Sequence, residues 1–281
     1  MPTYAILGAT GQVGSSILDT LLQSSTKNPR AKIKIHAFVR SKQKLLSMRP
    51  SLASDPNSSI YEGPLTDTAL LASCIRNTRA VFLCIAAQDN EPYCTIAQDQ
   101  SRAVLSALEH NENENQNDLE HTSSPSNTSS TPPKLIILSS ASLEPHLIAD
   151  LPTPFLAVMH TAASWMYADL RLAETHLRTH APSNVELIFI KPGGLVHDTP
   201  VGHRLSTTRQ QTFLSFADLG AGMVEAADSP SGTWAEVKGN VSVVPAGEGT
   251  RIEWYVPWFL VKGCLFHFLP GLYPYLGSVL P

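Results

Sequence analysis

The sequence is poor in cysteine and in charge. Its four cysteines, Cys74, Cys84, Cys94 and Cys264, form neither a Cys-x-x-Cys pair nor a closely spaced Cys/His cluster of the metal-site type. A disulfide framework and a structural metal site are therefore not expected. Charged residues make up 16% of the chain, and 24 acidic against 20 basic residues give a net charge of −4. That balance argues against nucleic acid as a partner.

The N-terminus lacks the features of a secretory signal. The chain begins MPTYAILGATG, with neither a basic region nor a long apolar run. We therefore expect a cytoplasmic protein in a reducing environment.

Apolar residues make up 43% of the 281 residues, which is enough for a sizeable core. Short apolar runs predict strands at residues 4–7, 33–39, 80–87, 134–138 and 185–190. Helical spacing predicts helices at residues 12–23, 41–48, 98–108 and 161–179. This alternation predicts an α/β fold, a Rossmann-type doubly wound parallel sheet.

A glycine motif follows the first predicted strand. Gly8, Gly11 and Gly14 lie in the sequence GATGQVG, where a helix begins. Glycine permits a tight turn and a close approach of the backbone to a pyrophosphate, and the helix N-terminus offers free N–H groups to the anion. The motif predicts a dinucleotide site, although a glycine turn without a ligand has the same spacing. The residues of this predicted site are Gly8, Thr10, Gly11, Gln12, Val13 and Gly14.

The end of the second predicted strand indicates which dinucleotide binds. Many NAD sites place an acidic residue there for the ribose 2′-hydroxyl, whereas this chain has Arg40, Ser41 and Lys42. A guanidinium and an ammonium suit the 2′-phosphate of NADP. We predict NADP as the cofactor, with NAD as the less favoured alternative and ordinary solvated charges as the other explanation.

Two segments depart from the α/β pattern. Residues 109–133 contain almost no apolar side chains and cannot offset their ordering entropy by burial, so we expect a disordered surface insertion. Residues 251–281 are far richer in aromatic side chains than the 7% average of the chain. We therefore predict an NAD(P)-binding domain over residues 1–250, a small C-terminal substrate region, and a separate aromatic segment, 251–281.

Five stretches together resemble one protein family. They are GATGQVG, GPLTD at 63–67, the serines at 139–140, KPGG at 191–194 and SFADL at 215–219. The chain is similar to atypical short-chain dehydrogenases/reductases of the NmrA-like, NAD(P)-binding type, and more narrowly to fungal tailoring oxidoreductases of the averufin oxidase A group. The resemblance covers nearly the whole chain except the polar insertion. It implies that the cofactor is also lined by Asp67, Ala86, Ala87, Pro192 and Gly193.

The chemistry of that family uses a serine and a Tyr-x-x-x-Lys pair. The serine polarises a carbonyl, the tyrosine transfers a proton, and the lysine holds the ribose and lowers the tyrosine pKa. The resemblance assigns Ser140 to the serine, with Ser139 and Ser142 as neighbours that could substitute. It assigns Tyr167 to the tyrosine and places Arg171 where the lysine is expected, a departure because a guanidinium has a different reach.

A shifted register of this helix leaves no catalytic pair. In that register the two positions fall on Met166 and Leu170, and Tyr167 and Arg171 belong to an ordinary amphipathic helix. Further polar candidates, each of which could equally be a surface group, are Asp169, His160, His197, His203 and Arg204.

The aromatic segment carries no Asp, Glu, Lys or Arg from Gly263 onward. Its length nearly suits a membrane-spanning helix, but Pro270 and Pro274 and several glycines interrupt it. The segment fits a lid over a bulky substrate, a homodimer face, peripheral contact with a membrane, or simple packing on the core.

The motif and the resemblance together predict an NADP-dependent oxidoreductase that acts on a carbonyl, alcohol or ring of a bulky small molecule in secondary metabolism. A non-redox isomerase or cyclase on the same fold is one alternative. A non-catalytic, NmrA-like nucleotide sensor is the other.

Overall fold

An eight-stranded sheet lies at the centre of the computed structural model, which describes residues 1–27, 32–87, 89–121, 133–247 and 255–277. The first half of the chain forms β1 (Thr3–Leu7), α1 (Gln12–Lys27), β2 (Lys34–Val39), α2 (Lys42–Met48), β3 (Ser58–Glu62), α3 (Thr68–Ile75), β4 (Ala80–Leu83), α4 (Ile96–His121) and β5 (Lys134–Leu138). Short 3₁₀ turns lie at Pro50–Ala53, Ala141–Leu143 and Pro145–Ile148.

The second half continues with α5 (Thr153–Ala162), α6 (Ser164–His180), β6 (Leu187–Ile190), β7 (Leu195–Val196), β8 (His203–Ser206), β9 (Leu214–Ser215), α7 (Phe216–Asp228), β10 (Asn240–Pro245), α8 (Tyr255–Phe268) and α9 (Tyr273–Leu276). A 3₁₀ turn at Pro270–Leu272 joins the last two helices.

The strand order β3-β2-β1-β4-β5-β6-β10-β8 confirms the predicted doubly wound sheet. All neighbours are parallel except β8, which runs antiparallel to β10 at one edge. The register places Tyr4 of β1 between Ile35 of β2 and Ala80 of β4. β7 and β9 form a separate parallel pair.

Alternate side chains of the strands enter two separate cores. On β1, Tyr4 and Ile6 face the core that α1 and α7 cover, whereas Ala5 and Leu7 face the core beneath α3, α4 and α6. This alternation follows from the two-residue period of a strand. Helices α1 and α7 approach closely because Gly220 has no side chain: a Cβ there would lie 2.7 Å from the backbone carbon of Ser16.

Helix α4 differs from the sequence prediction, because it continues to His121 where we expected disorder from residue 109. The polar extension is anchored to α3. Arg76 donates to Asn111 Oδ1 at 2.9 Å and pairs with Glu114, and the Asn111 amide donates to the Ala72 carbonyl at 3.0 Å. The extension therefore needs no apolar burial of its own, and the rest of the predicted insertion, 122–132, lies outside the described residues.

The helix predicted at 161–179 is two helices, α5 and α6, which meet at Ala163. The backbone of Ala163 leaves helical geometry, with φ −120° and ψ 23°. The side chain of Asn90, 1% exposed, occupies the break: its Oδ1 accepts from the Trp165 amide at 2.8 Å. Periodicity could not indicate this break because Asn90 is distant in sequence.

Part of the aromatic C-terminal segment packs on the domain. Gly263 of α8 lies against α5, where a Cβ would be 2.0 Å from the Ala162 carbonyl oxygen, and its own carbonyl accepts from Asn90 Nδ2 at 3.0 Å. The His267 ring contacts the Ser164 hydroxyl at 2.7 Å, and Phe266 is fully buried.

The remaining side of this segment is exposed and apolar, at Trp258, Val261, Phe268, Leu269, Leu272 and Tyr275. Among the residues that the structure describes, none of the helices has the length and apolarity needed to cross a bilayer. Peripheral membrane contact, a homodimer face and a cytoplasmic location stay predictions.

The contact at Gly263 predicts the effect of a single methyl group. Gly263→Ala should lower the free energy of unfolding by about 1–3 kcal/mol, because the methyl group meets a backbone carbonyl that cannot move aside. Urea unfolding measures the change. Gly271→Ala is the control, since nothing lies within 4 Å of a Cβ at that position. Equal stability of the two variants would contradict the packing described.

Candidate active site

The strand order changes direction at β1, because β2 and β3 lie on one side of it and β4, β5 and β6 lie on the other. In open α/β sheets, ligands bind at such a point, beyond the carboxyl ends of the strands. The segments that leave these ends are the glycine turn after β1, residues 84–87 after β4, the serines after β5 and the KPGG turn after β6. The predicted site residues of these segments therefore lie along one edge of the sheet.

The glycine turn forms a cradle that tolerates no side chain at two positions. Gly8 has φ +88°, a conformation that favours glycine, and its carbonyl accepts from the Gly11 amide at 2.9 Å. A Cβ on Gly14 would lie 2.2 Å from the Gly8 carbonyl oxygen. The first turn of α1, which follows, carries no acidic residue. Backbone N–H groups of this turn fit the pyrophosphate of a dinucleotide.

The backbone after β4 is held by a side chain that sequence reasoning missed. Gln100 of α4, 3% exposed, accepts from the Ile85 amide at 3.0 Å and donates to the Ile85 carbonyl at 3.3 Å. It thereby fixes the segment that carries Ala86 and Ala87, both partly buried. The sequence contains one signal of this role, because Gln100 is a polar residue at helical spacing from the apolar residues Ala97 and Val104, on the side of the helix that is expected to be buried.

A buried thiol lies at this point of the site. Cys84 directly follows β4, beside Gly8, and is buried. Burial raises the pKa of its thiol above the ordinary value, which disfavours the reactive thiolate.

Three predicted cofactor residues lie beyond β2 and β3. Arg40 is exposed at the end of β2. Ser41 caps α2, accepting from the Lys44 amide at 3.2 Å, and Asp67 caps α3, accepting from the Leu70 amide at 3.0 Å. Both caps have a structural role, and their contact with a cofactor stays a prediction.

The structure brings Tyr167 to Ser142. The Tyr167 hydroxyl, on α6, donates to Ser142 Oγ at 3.1 Å, and the His160 ring lies against the Tyr167 ring with centroids 5.6 Å apart. Ser140 caps the 3₁₀ turn, its Oγ accepting from the Ser142 amide at 3.3 Å, and Ser139 donates to Glu174. Among the three serines, Ser142 therefore has the hydroxyl that contacts the tyrosine.

Tyr167 shares an apolar cluster with two of its neighbours on α6. Met166 and Leu170, the pair of the shifted register, pack in this cluster with Ala97 and Ala173, and the Tyr167 hydroxyl also reaches the serine segment. Arg171 is exposed. Only the register with Tyr167 therefore presents a hydroxyl to the serine segment.

Asp169 acts as a helix cap. It is 2% exposed, and its carboxylate accepts from the backbone amides of Ala97 at 2.8 Å and Gln98 at 3.1 Å, at the start of α4. With its oxygens occupied by these donors, Asp169 has the surroundings of a structural residue.

The turn after β6 is packed from both sides. The Pro192 carbonyl accepts from the Ala141 amide at 2.9 Å, which joins this turn to the serine segment. A Cβ on Gly193 would lie 2.2 Å from Gln210 Oε1, so a side chain there would have to displace the end of the Gln210 side chain. Lys191, just before the turn, is fully buried among carboxylates.

The polar candidates after the KPGG turn have separate environments. His197 lies at the glycine turn, its Nε2 2.9 Å from Gln12 Nε2, and its ring packs on Phe216. His203 pairs with Glu225 at 2.8 Å, away from the turn. Arg204 is exposed.

Comparison with known proteins agrees with this geometry. A family model described as NAD(P)H-binding matches residues 8–230. The chain belongs to this family. Oxidoreductase aflX of Aspergillus parasiticus is 44% identical over 99% of this chain and 96% of its own length. Oxidoreductase stcQ of Emericella nidulans is 41% identical over 99% of this chain and 95% of its own.

Solved structures show the same fold. A short-chain dehydrogenase/reductase of Veillonella parvula superposes with a TM-score of 0.61 at 16% identity, covering 90% of this chain and 99% of that one. Another structure of a short-chain dehydrogenase/reductase from that organism, in complex with NADP, gives a TM-score of 0.55 at 17% identity, covering 88% of this chain and 95% of that one. The predictions of a nicotinamide cofactor and of an oxidoreductase are confirmed, and the solved structures show that the chain has the fold of short-chain dehydrogenases/reductases.

The cradle predicts a graded response to added methyl groups. Gly14→Ala should weaken binding of NADPH and of NADH by about tenfold or more, because the methyl group displaces the Gly8 carbonyl and opens the turn. Gly11→Ala should weaken binding less, since its Cβ would be 3.3 Å from the same oxygen. Fluorescence titration of each cofactor gives the dissociation constants. Unchanged affinity in Gly14→Ala would show that the turn does not hold the dinucleotide.

Proposed function

We propose that this chain is an NADP-dependent oxidoreductase that interconverts a carbonyl and an alcohol, or changes the oxidation state of a ring, in a bulky small molecule of secondary metabolism. The observation that supports it is the 3.1 Å contact between the hydroxyls of Tyr167 and Ser142, beyond the carboxyl end of β5. A phenol and an alcohol at the same edge of the sheet as the dinucleotide turn can donate a proton and a hydrogen bond to a carbonyl oxygen.

The two hydroxyls have distinct roles in this proposal. In the reductive direction Tyr167 donates its proton to the substrate oxygen as the carbonyl becomes an alcohol. Ser142 donates a hydrogen bond to the same oxygen and so polarises the carbonyl. A bound nicotinamide dinucleotide supplies the hydrogen and the electron pair that the carbon receives. Arg171, four residues beyond Tyr167, is proposed to hold the ribose of the cofactor.

The choice of NADP rests on charge at the end of β2. Arg40 is exposed there, and Ser41 and Lys42 follow it at the start of α2. These groups can bind a 2′-phosphate by charge-assisted hydrogen bonds. The NADP complex of a structural neighbour supports the same choice.

Substitution of the two hydroxyls tests the catalytic proposal. Tyr167→Phe should lower kcat for a carbonyl substrate by about 100-fold or more while NADPH still binds, because the proton donor is lost. Steady-state assays with pathway carbonyl intermediates measure this. Ser142→Ala should lower kcat, and Ser140→Ala, the matched control, should have a smaller effect because Ser140 caps the 3₁₀ turn.

Several outcomes separate the alternatives. A larger loss of kcat in Ser140→Ala than in Ser142→Ala would restore the sequence-based choice of serine. Product formation without consumption of NADPH would favour an isomerase or cyclase. Intact biological activity in a Tyr167→Phe, Ser142→Ala double variant would favour a nucleotide sensor.

A substitution at β2 tests the cofactor preference. Arg40→Ala should weaken NADPH binding by about 10- to 100-fold and leave NADH binding nearly unchanged, since only NADPH carries the phosphate that the guanidinium binds. Calorimetric titration with each cofactor measures both affinities. Lys44→Ala, a nearby exposed cation on α2, is the control. Equal effects on the affinities for NADPH and NADH would show that Arg40 does not bind the 2′-phosphate.

A further inference from the structure

A fully buried ammonium lies between the serine segment and helix α6. The side chain of Lys191 is 0% exposed, and its Nζ contacts Glu174 Oε1 at 2.7 Å, Glu174 Oε2 at 2.9 Å and Glu144 Oε1 at 2.9 Å. A buried charge is strongly unfavourable unless it is paired and hydrogen-bonded. Here the carboxylates of Glu174 and Glu144 supply both the opposite charge and the hydrogen-bond acceptors.

Both ends of the serine segment, residues 139–144, meet this cluster. Glu144, two residues after Ser142, binds the ammonium directly. Ser139, three residues before Ser142, donates its hydroxyl hydrogen to Glu174, which binds the same ammonium. The cluster therefore fixes Ser142 from both directions along the chain.

The same cluster meets the helix that carries the tyrosine. Glu174 lies seven residues after Tyr167 on α6, which is two helical turns along nearly the same face. Arg178, one turn further, lies 3.9 Å from Glu174 Oε2 and partly compensates the second carboxylate. One buried charge thus joins the two elements whose hydroxyls meet at Tyr167 and Ser142.

We propose that Lys191 is a positioning residue that, through Glu144 and Glu174, holds Ser142 in hydrogen-bond contact with Tyr167. This inference rests on the proposed function for its catalytic consequence, but the hydrogen bond itself exists without catalysis. Two backbone bonds also join the serine segment to the β6 region, from the Ser139 amide to Ile190 at 2.8 Å and from the Ala141 amide to Pro192 at 2.9 Å, and neither uses the lysine side chain. The role of the ammonium is therefore to orient the side chains on an anchored backbone.

Two variants test this role. Lys191→Met removes the ammonium, and Glu144→Gln keeps the volume of the side chain while it weakens one of the two contacts. Glu144→Gln carries the test alone if Lys191→Met does not fold. The matched control is Lys262→Met, which removes another buried lysine, 3.1 Å from Asp89 and outside the serine segment.

The first readout is the Tyr167 ring signal in NMR spectra of protein with ¹³C-labelled tyrosine, assigned by its loss in Tyr167→Phe. Lys191→Met and Glu144→Gln should move this signal toward its position in Ser142→Ala, and Lys262→Met should leave it unchanged. An unmoved signal in folded Glu144→Gln would overturn the proposal. So would an equal displacement in Lys262→Met, because the effect would then be general.

The second readout is kinetic. In Glu144→Gln kcat should fall by about tenfold or more, with KM for NADPH within about twofold of the unsubstituted protein, because misplacement of a catalytic group affects the reaction more than binding. A moved Tyr167 signal with unchanged kcat, when Tyr167→Phe is also fully active, supports the positioning role and refutes the proposed function. A moved signal with unchanged kcat when Tyr167→Phe is inactive overturns the catalytic consequence proposed for Lys191.

Discussion

The close approach of Gly14 to the Gly8 carbonyl determines where the remaining parts of the site can lie. Because no side chain separates the two residues, α1 begins immediately over the end of β1, at the point where the strand order reverses. Helix α7 packs on α1 through Gly220, again because a side chain is absent. The contact therefore aligns a helix N-terminus, the crevice between β1 and β4, and one whole layer of the fold.

The opposite layer supplies the reacting groups, and long-range polar contacts locate them. Gln100 fixes the backbone after β4, and Asn90 sets the break at which α6 begins, three residues before Tyr167. The apolar cores hold the helices on the sheet, but apolar packing alone permits small shifts of a helix along its axis. Directional hydrogen bonds to the backbone prevent such shifts. A catalytic pair requires this because its two groups must be placed precisely.

The sequence predicted the features that depend on local patterns. The strand at 134–138 has the predicted bounds, and α1 begins at the predicted residue, because buried parallel strands and glycine turns leave signatures within a few residues. The strand Ser58–Glu62 was not predicted: it is an edge strand with one strongly apolar side chain, and its pairing with β2 defines it. The long α4 was underestimated because Arg76, from another helix, stabilises its polar end. Pairing of Tyr167 with Ser142 required the tertiary fold.

Two buried aspartates show why burial of an acid is weak evidence for catalysis in this fold. Asp169 accepts from two consecutive backbone amides at the start of α4, and Asp218 accepts from the amides of Val201 at 2.9 Å and Gly202 at 3.0 Å. In each case a carboxylate on one helix accepts hydrogen bonds from backbone amides that have no partner within their own secondary structure, as water would if they were exposed. By contrast, the Tyr167 hydroxyl binds another side-chain hydroxyl, and such a contact can be exchanged for a substrate oxygen without leaving backbone groups unpaired. The buried acids that bind backbone amides therefore have a structural role. The hydroxyls, whose contact with each other can be replaced by a contact with substrate, are the candidates for chemistry.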